Sequence, residues 1–247
     1  MEIALKPQEY YYLYSPLRAD PVEMLKYTVQ SLVLEGHVAI DYKLIYITSN
    51  NKDQRYRIFF KIGDQFKETN KYSVAENFVL DVLKTQEELR LFEFKNQLLE
   101  FLHDDIKNFK SNYVYEDVKG LGLCYNKFLL NGKGRKARNA YSELIELIES
   151  KTDELLKNDA SLEAYLTELS TGIILLDDIV VTKLKKTVPN LDELSAAFEI
   201  LRGAGSDGGG GGTYSGGGGS SGGGGFGGFG AYRTHRPSLS QVTWPPS

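Results

Sequence analysis

Residues 208–230 read GGGGGTYSGGGGSSGGGGFGGFG, and this stretch sets the outer limit on what the chain can fold. Glycine loses more backbone freedom on ordering than any other residue and brings no side chain to a core. Of the 25 glycines in the 247-residue chain, 18 fall between Gly203 and Gly230. Residues 203–247 are therefore expected to be a disordered glycine-rich tail. Tyr214, Phe226 and Phe229 punctuate it, a pattern shared by segments that make weak multivalent contacts; a plain flexible linker is the alternative. It ends in AYRTHRPSLSQVTWPPS, which can serve as a short docking peptide.

The portion before Arg202 is about 200 residues long and rich in Leu, Ile, Tyr and Phe, enough for a sizeable core. The whole chain carries −4. The tail contributes Asp207, Arg233 and Arg236, so the remainder is net acidic. That balance disfavours a dedicated nonspecific nucleic-acid binder, whose affinity rests on neutralising phosphates. One cysteine, Cys124, permits no internal disulfide and fits a reducing compartment. The start MEIALKPQEYYYLY lacks the basic and apolar regions of a secretory signal. No run approaches the roughly 18 apolar residues of a membrane span; STGIILLDDIVV is broken by Asp177 and Asp178. A cytoplasmic protein is expected, with association to a membrane surface as the alternative.

Helix signals open the chain. PQEYYYLYS starts with Pro7 where a first helical turn tolerates it. Its tyrosines occupy every phase of a helix, which predicts that some lie at a surface or interface. In ADPVEMLKYTVQSLVLEG, Asp20 caps, Pro21 takes the first helical position and Glu23 completes a capping-box variant. Leu25, Val29, Leu32 and Val33 give an apolar face, and Gly36 stops the helix. The period then changes. HVAIDYKLIYIT and RYRIFFKIG flank the polar cluster SNNKDQ and predict a β-hairpin. Helix, capped helix and hairpin is the order of a winged-helix unit, placed at residues 1–70.

A second such unit is placed at 73–135. It opens on the Ser73–Glu76 capping box with Phe78, Val82 and Leu83 as its stripe. A helix over TQEELRLFEFKNQLLEFLHDDIKNFK follows, with Leu98, Phe101 and Leu102 repeating. NYVYEDVKGLGLCYNKFLL then turns to strand-type residues around two glycines and reads as a hairpin or strand. Residues 136–202 read as helical, with Tyr141, Leu144, Ile145 and Ile148 on one face, a helix or helix pair over SLEAYLTELSTGIILLDDIVVTKLKKT, a break at Val188-Pro189-Asn190 and a last helix NLDELSAAFEIL. The fold class is thus α+β and mostly helical, with two winged-helix-like units, a helical segment and the tail.

No catalytic or metal constellation emerges. His37, His103 and His235 lie in different segments, and a single cysteine allows no zinc spacing. His103-Asp104-Asp105 reads as a solvated polar face rather than a ligand set. Cys124 reads as a small buried strand residue. GLGLCYNKF lacks the third glycine of a dinucleotide fingerprint, and NGKGRKARNAY lacks the spacing of a phosphate loop. No cofactor and no enzymatic activity are expected.

Two clusters remain as binding candidates. Lys133, Arg135, Lys136 and Arg138 form a basic loop in an acidic body, just before a helix start, and are candidates for phosphate, an acidic headgroup or an acidic partner. Its alternative is a solvated charged loop. Lys26, Gln30, Arg55 and Arg57 are the residues a winged-helix DNA-binding regulator would use, although their helix also carries Glu23 and Glu35.

The order of these features resembles the cytoplasmic portion of a family of uncharacterised bacterial proteins labelled predicted membrane proteins. The residues that carry the resemblance are KPQEYYYLY, LVLEGHVAI, ENFVLDVL and the tail GGGGGTYSGGGG. Members have transmembrane helices and often cysteine-rich glycine tails; this sequence has neither feature. The resemblance implies winged-helix-like units and a glycine-rich tail, and carries no activity or site residue. The expectation is a non-enzymatic interaction or scaffold protein. Its expected partner is a protein, bound through residues 203–247; a membrane surface is the second candidate, and nucleic acid is disfavoured.

Overall fold

The computed structural model describes residues 5–46, 54–156 and 159–184, all within one compact unit, Met1–Leu194. The expected breaks at Val188–Asn190, the last helix, the hairpin turn and the glycine-rich tail lie outside the described residues.

Local chemistry places the first elements where the sequence does. Helix α1 spans Pro7–Tyr14, and the Glu9 carboxylate accepts from the Lys6 backbone N–H at 2.8 Å. Helix α2 spans Pro21–Leu34, with the Asp20 carboxylate accepting from Val22 N–H at 2.8 Å. Glu23 does not complete a capping box; it pairs with Lys26 at 3.0 Å. Gly36, at φ +71°, ends the helix in a conformation that a Cβ would strain. Strands β1 (Val38–Tyr46) and β2 (Gln54–Ile62) then pair antiparallel, with Val38 opposite Ile62 and Tyr46 opposite Gln54. A two-residue β3 (Leu89–Arg90) adds to the free edge of β2 and makes a three-stranded sheet in the order β1-β2-β3.

Helix α3 (Val74–Lys84) has the Ser73–Glu76 capping box expected of it, with Ser73 N–H to Glu76 at 2.9 Å and Glu76 N–H to Ser73 at 3.2 Å. Two expectations change beyond it. The long helix is only α4 (Leu91–Phe101). His103 and Asp104, at φ +53° and +59°, turn the chain into the left-handed region that short polar residues tolerate. Asp104 N–H and His103 N–H bond back to the Leu99 and Glu100 carbonyls and close the helix end. Leu98 and Leu102 are buried, while Phe101 is exposed. The stretch read as hairpin or strand is helical in its first half, through Gly120. A π-helical turn (Phe109–Val114) runs into α5 (Tyr115–Gly120), because Phe109, Val114 and Val118 all reach the core from one helical face. Packing here outweighs β propensity. Only β4 (Cys124–Asn126) and β5 (Leu129–Leu130) form a small hairpin.

Helix α6 (Gly132–Leu155) begins earlier than expected, at a cap supplied by Asn131, whose side chain accepts from Gly134 N–H at 2.8 Å. Helix α7 (Asp159–Leu169), a 3₁₀ turn (Ser170–Leu175) and α8 (Asp178–Leu184) complete the described part. The protein is therefore α+β and mostly helical, with two small antiparallel sheets among the described residues.

Helix α2 sits at the centre. It touches α1, α3, β1, the π-turn and the 3₁₀ turn, and Met24, Leu25 and Leu32 are fully buried. Helix α1 packs on α2, α5 and α6, so one core runs across the sequence positions 70 and 135. The tyrosine run belongs to that core. Tyr12 is buried, and Tyr10 stacks on Tyr141 of α6 at 4.7 Å while sharing a hydrogen bond with Ser142 at 2.9 Å. Tyr11 and Tyr14 are half-buried.

Candidate functional site

The basic residues read from the sequence as a loop lie on the first two turns of α6. That correction follows from the cap. Asn131 holds Gly134 N–H with its carbonyl oxygen and donates its amide to the Gly122 carbonyl at 2.8 Å. Gly134 rests against the Leu123 carbonyl so closely that a Cβ would stand 1.9 Å from the oxygen. The helix start is thereby fixed to residues 122–123, immediately before β4. Lys133 reaches the same place, its ammonium 3.2 Å from the Leu121 carbonyl.

At about 100° per residue, the four cations wrap the start of α6. Its buried stripe is Ala137, Tyr141, Leu144, Ile145 and Ile148. Lys133 and Lys136 fall on one flank of that stripe, Arg135 and Arg138 on the other. Lys133, Arg135 and Lys136 are exposed and Arg138 is half-buried against Asn139. They form a collar, not a pocket converging on one small anion.

Their electrostatics stand apart from the rest of the fold. No carboxylate occurs three or four residues from any of the four, and among the described residues none has an ion-pair partner. Elsewhere such pairs are regular: Lys26–Glu23, Lys84–Asp81 and Lys119–Glu116, all near 3 Å. The placement is also the reverse of what the helix dipole favours, since the first turn holds no acid and the last no base. Glu143, Glu146, Glu149, Asp153 and Glu154, with the single base Lys151 among them, occupy the rest of the helix. Each exposed charge set against the dipole costs a few tenths to about 1 kcal/mol.

The hairpin joined to this collar exposes five consecutive residues, Tyr125 to Leu129. Tyr125 is 76%, Phe128 59% and Leu129 59% exposed. Asn126 shapes the tip by accepting from Phe128 and Leu129 N–H at 2.9 and 3.0 Å. Tyr12 anchors it from the core, its hydroxyl donating to the Lys127 carbonyl at 2.5 Å. Other exposed large apolar residues, such as Leu17, Phe92 and Ile179, are scattered over separate elements. The tip residues were not legible as a site, because CYNKFLL reads as an ordinary hairpin or strand and nothing in its composition marks which side chains stay exposed.

The candidates for DNA contact are dispersed differently. Lys26 is engaged by Glu23, and Gln30 is buried on a helix covered on several sides. Arg57 is exposed on β2, and Arg55 lies two register positions nearer the turn. The other described cations of this hairpin are neutralised, Lys43 by Glu88 and Lys61 by Asp41.

Two further clusters have structural work. Lys6 bridges Glu35 and Glu76 at 2.6 and 3.0 Å, with Glu9 buried beside them. Burial raises the Glu9 carboxyl to about 8, and the nearby negative charges of Asp117 and Glu76 add to the shift. Asp117 caps α3 by accepting from Val74 and Ala75 N–H at 2.5 and 3.0 Å; burial raises its carboxyl too. A groove between α6 and α8 carries Glu149, Asp153, Asp177 and Lys183. Its charges are used internally, with Lys183 on Asp153 at 2.6 Å and Glu149 accepting from Asp177 N–H at 2.9 Å.

Cys124 is half-buried on β4, and burial raises its thiol, the reverse of what activates a nucleophile. Among the described residues no group of three His, Cys, Asp or Glu side chains is placed to hold a metal ion, and no helix is long and apolar enough to cross a membrane. His235 lies outside the described residues. The chain matches no family model, no curated protein and no solved structure.

Proposed function

We propose that the chain is a non-enzymatic interaction or scaffold protein whose partner-binding surface is the β4–β5 hairpin with the first two turns of α6. One observation carries this reading. A hairpin that exposes Tyr125, Phe128 and Leu129 leads directly into four cations that have no carboxylate partner among the described residues. Such a surface suits a partner that presents negative charge around an apolar contact. The Asn131 cap and the close Gly134–Leu123 contact support it as a preformed surface, so little ordering entropy opposes binding.

The test is a titration of the full ¹⁵N-labelled chain with decyl phosphate, an amphiphilic anion. Saturable amide shifts confined to residues 122–138 are expected. Replacing Lys133, Arg135, Lys136 and Arg138 by Gln abolishes them while leaving the circular dichroism spectrum unchanged. Shifts centred elsewhere, or equal shifts in the variant, overturn the assignment.

A further inference from the structure

We infer that the partner of this surface is an anionic lipid bilayer: the hairpin tip enters the headgroup region and the α6 collar lies on the charged surface. The inference rests on the surface proposed above and adds the identity of what covers it.

Three observations select a bilayer over a small anion or a folded protein. The first is the shape of the cationic set. Lys133 with Lys136 and Arg135 with Arg138 splay to opposite flanks of the buried stripe, so they cannot converge on one phosphate, but they can each meet a different headgroup on an extended surface. The second is the order of chemistry along the chain. Tyr125, Phe128 and Leu129 sit at a hairpin tip with Lys127 between them, and the cations follow at its base. An aromatic ring with a hydroxyl and two apolar side chains is what partitions into the interfacial layer, while lysine keeps its ammonium among the phosphates. The third is mechanical. The tip is tied to the core through Tyr12 and the collar to residues 121–123 through Asn131, Lys133 and Gly134, so both parts are held rather than free to swing apart.

The net charge of −4 does not oppose this. Screening at physiological salt acts over about 8 Å, so the distant carboxylates of the α6 C-terminal half are attenuated while the collar acts at contact. Binding is therefore orientation-specific and strongly salt-dependent.

The experiment is co-sedimentation of the full chain with vesicles of phosphatidylcholine alone and of phosphatidylcholine and phosphatidylglycerol in equal parts. Binding to the anionic vesicles only, weakening as salt is raised, is expected. Lys133→Gln with Arg135→Gln and Lys136→Gln removes three exposed cations, each contributing about fivefold, and lowers partitioning on the order of 100-fold. Phe128→Ser with Leu129→Ser, both at exposed positions, lowers it roughly tenfold. Tyr125→Trp, in a Trp244→Phe background that removes the sole native tryptophan, reports entry by a blue-shifted emission on anionic vesicles. Vesicle binding insensitive to both sets of variants, or an unshifted emission, overturns the inference. Saturable decyl phosphate shifts at 122–138 without vesicle binding overturn the bilayer alone and leave the surface for an acidic protein partner. Loss of both results overturns the surface as well.

Discussion

Replacing Glu9 by Gln tests how the buried charge cluster tunes stability. Glu9 lies on α1, 4% exposed, facing Lys6, Glu76, Asp117 and Tyr141. Its carboxyl titrates near 8 in the folded protein against 4.5 in a free chain. Between those values the folded protein holds a proton that the unfolded chain has released. Raising the pH through this window therefore favours unfolding, by about 1.4 kcal/mol per pH unit. From pH 5 to pH 7 the loss from Glu9 is roughly 3 kcal/mol, a large share of a typical domain's 5–15 kcal/mol. Asp117, also raised by burial, adds a loss of the same sign. Lys6, raised above 10.5, acts only in alkali beyond this window. Gln keeps an oxygen to accept the Lys6 N–H and cannot ionise. Urea unfolding followed by circular dichroism at pH 5, 6, 7 and 8 reads the difference. Wild type loses stability across the series, and Glu9→Gln loses it less steeply by about 1.4 kcal/mol per unit, being the more stable protein at pH 7. Parallel profiles for the two proteins would refute the reasoning.

Two further substitutions probe the joints that hold the fold. Asp117→Ala strands the Val74 and Ala75 N–H groups at the start of α3 and is expected to cost about 1–3 kcal/mol in urea unfolding, whereas the exposed Asp81→Ala on the same helix changes little. Gly134→Ala drives a Cβ into the Leu123 carbonyl, so the α6 start must move from the hairpin. Hydrogen exchange should rise at residues 122–135 and stay unchanged in α2; unchanged exchange at 122–135 would show that the contact does not hold the joint.

Legibility in the sequence followed the range of the forces involved. Asp20, Ser73 and Glu76 act on N–H groups two or three residues away, so α2 and α3 were readable from their caps. Gly36 stopped α2 because its conformation is local. The helix over 109–120 was hidden, since Val114 and Val118 favour strands until the π-turn packs on α2 and α3, with Phe109 and Tyr113 against Phe78. The start of α6 was misplaced for the same reason: Gly132 and Gly134 read as loop residues until Leu123 arrives opposite one of them. The collar's residues were legible as a cluster. Their lack of partners and the exposed tip beside them depend on packing, which composition does not specify.

The reversed charges of α6 give the protein an electrical polarity of its own. Lys133 to Arg138 sit at one end of a helix about 36 Å long, and the acids from Glu143 to Glu154 outnumber the one base, Lys151, along the remainder. The side-chain moment points the same way as the peptide moment and adds to it, positive at the start of the helix and negative beyond. Near a negative surface such a body feels a torque before it makes any contact. Its cationic end is drawn inward and its acidic end pushed away, so diffusional encounters arrive already turned with the hairpin foremost.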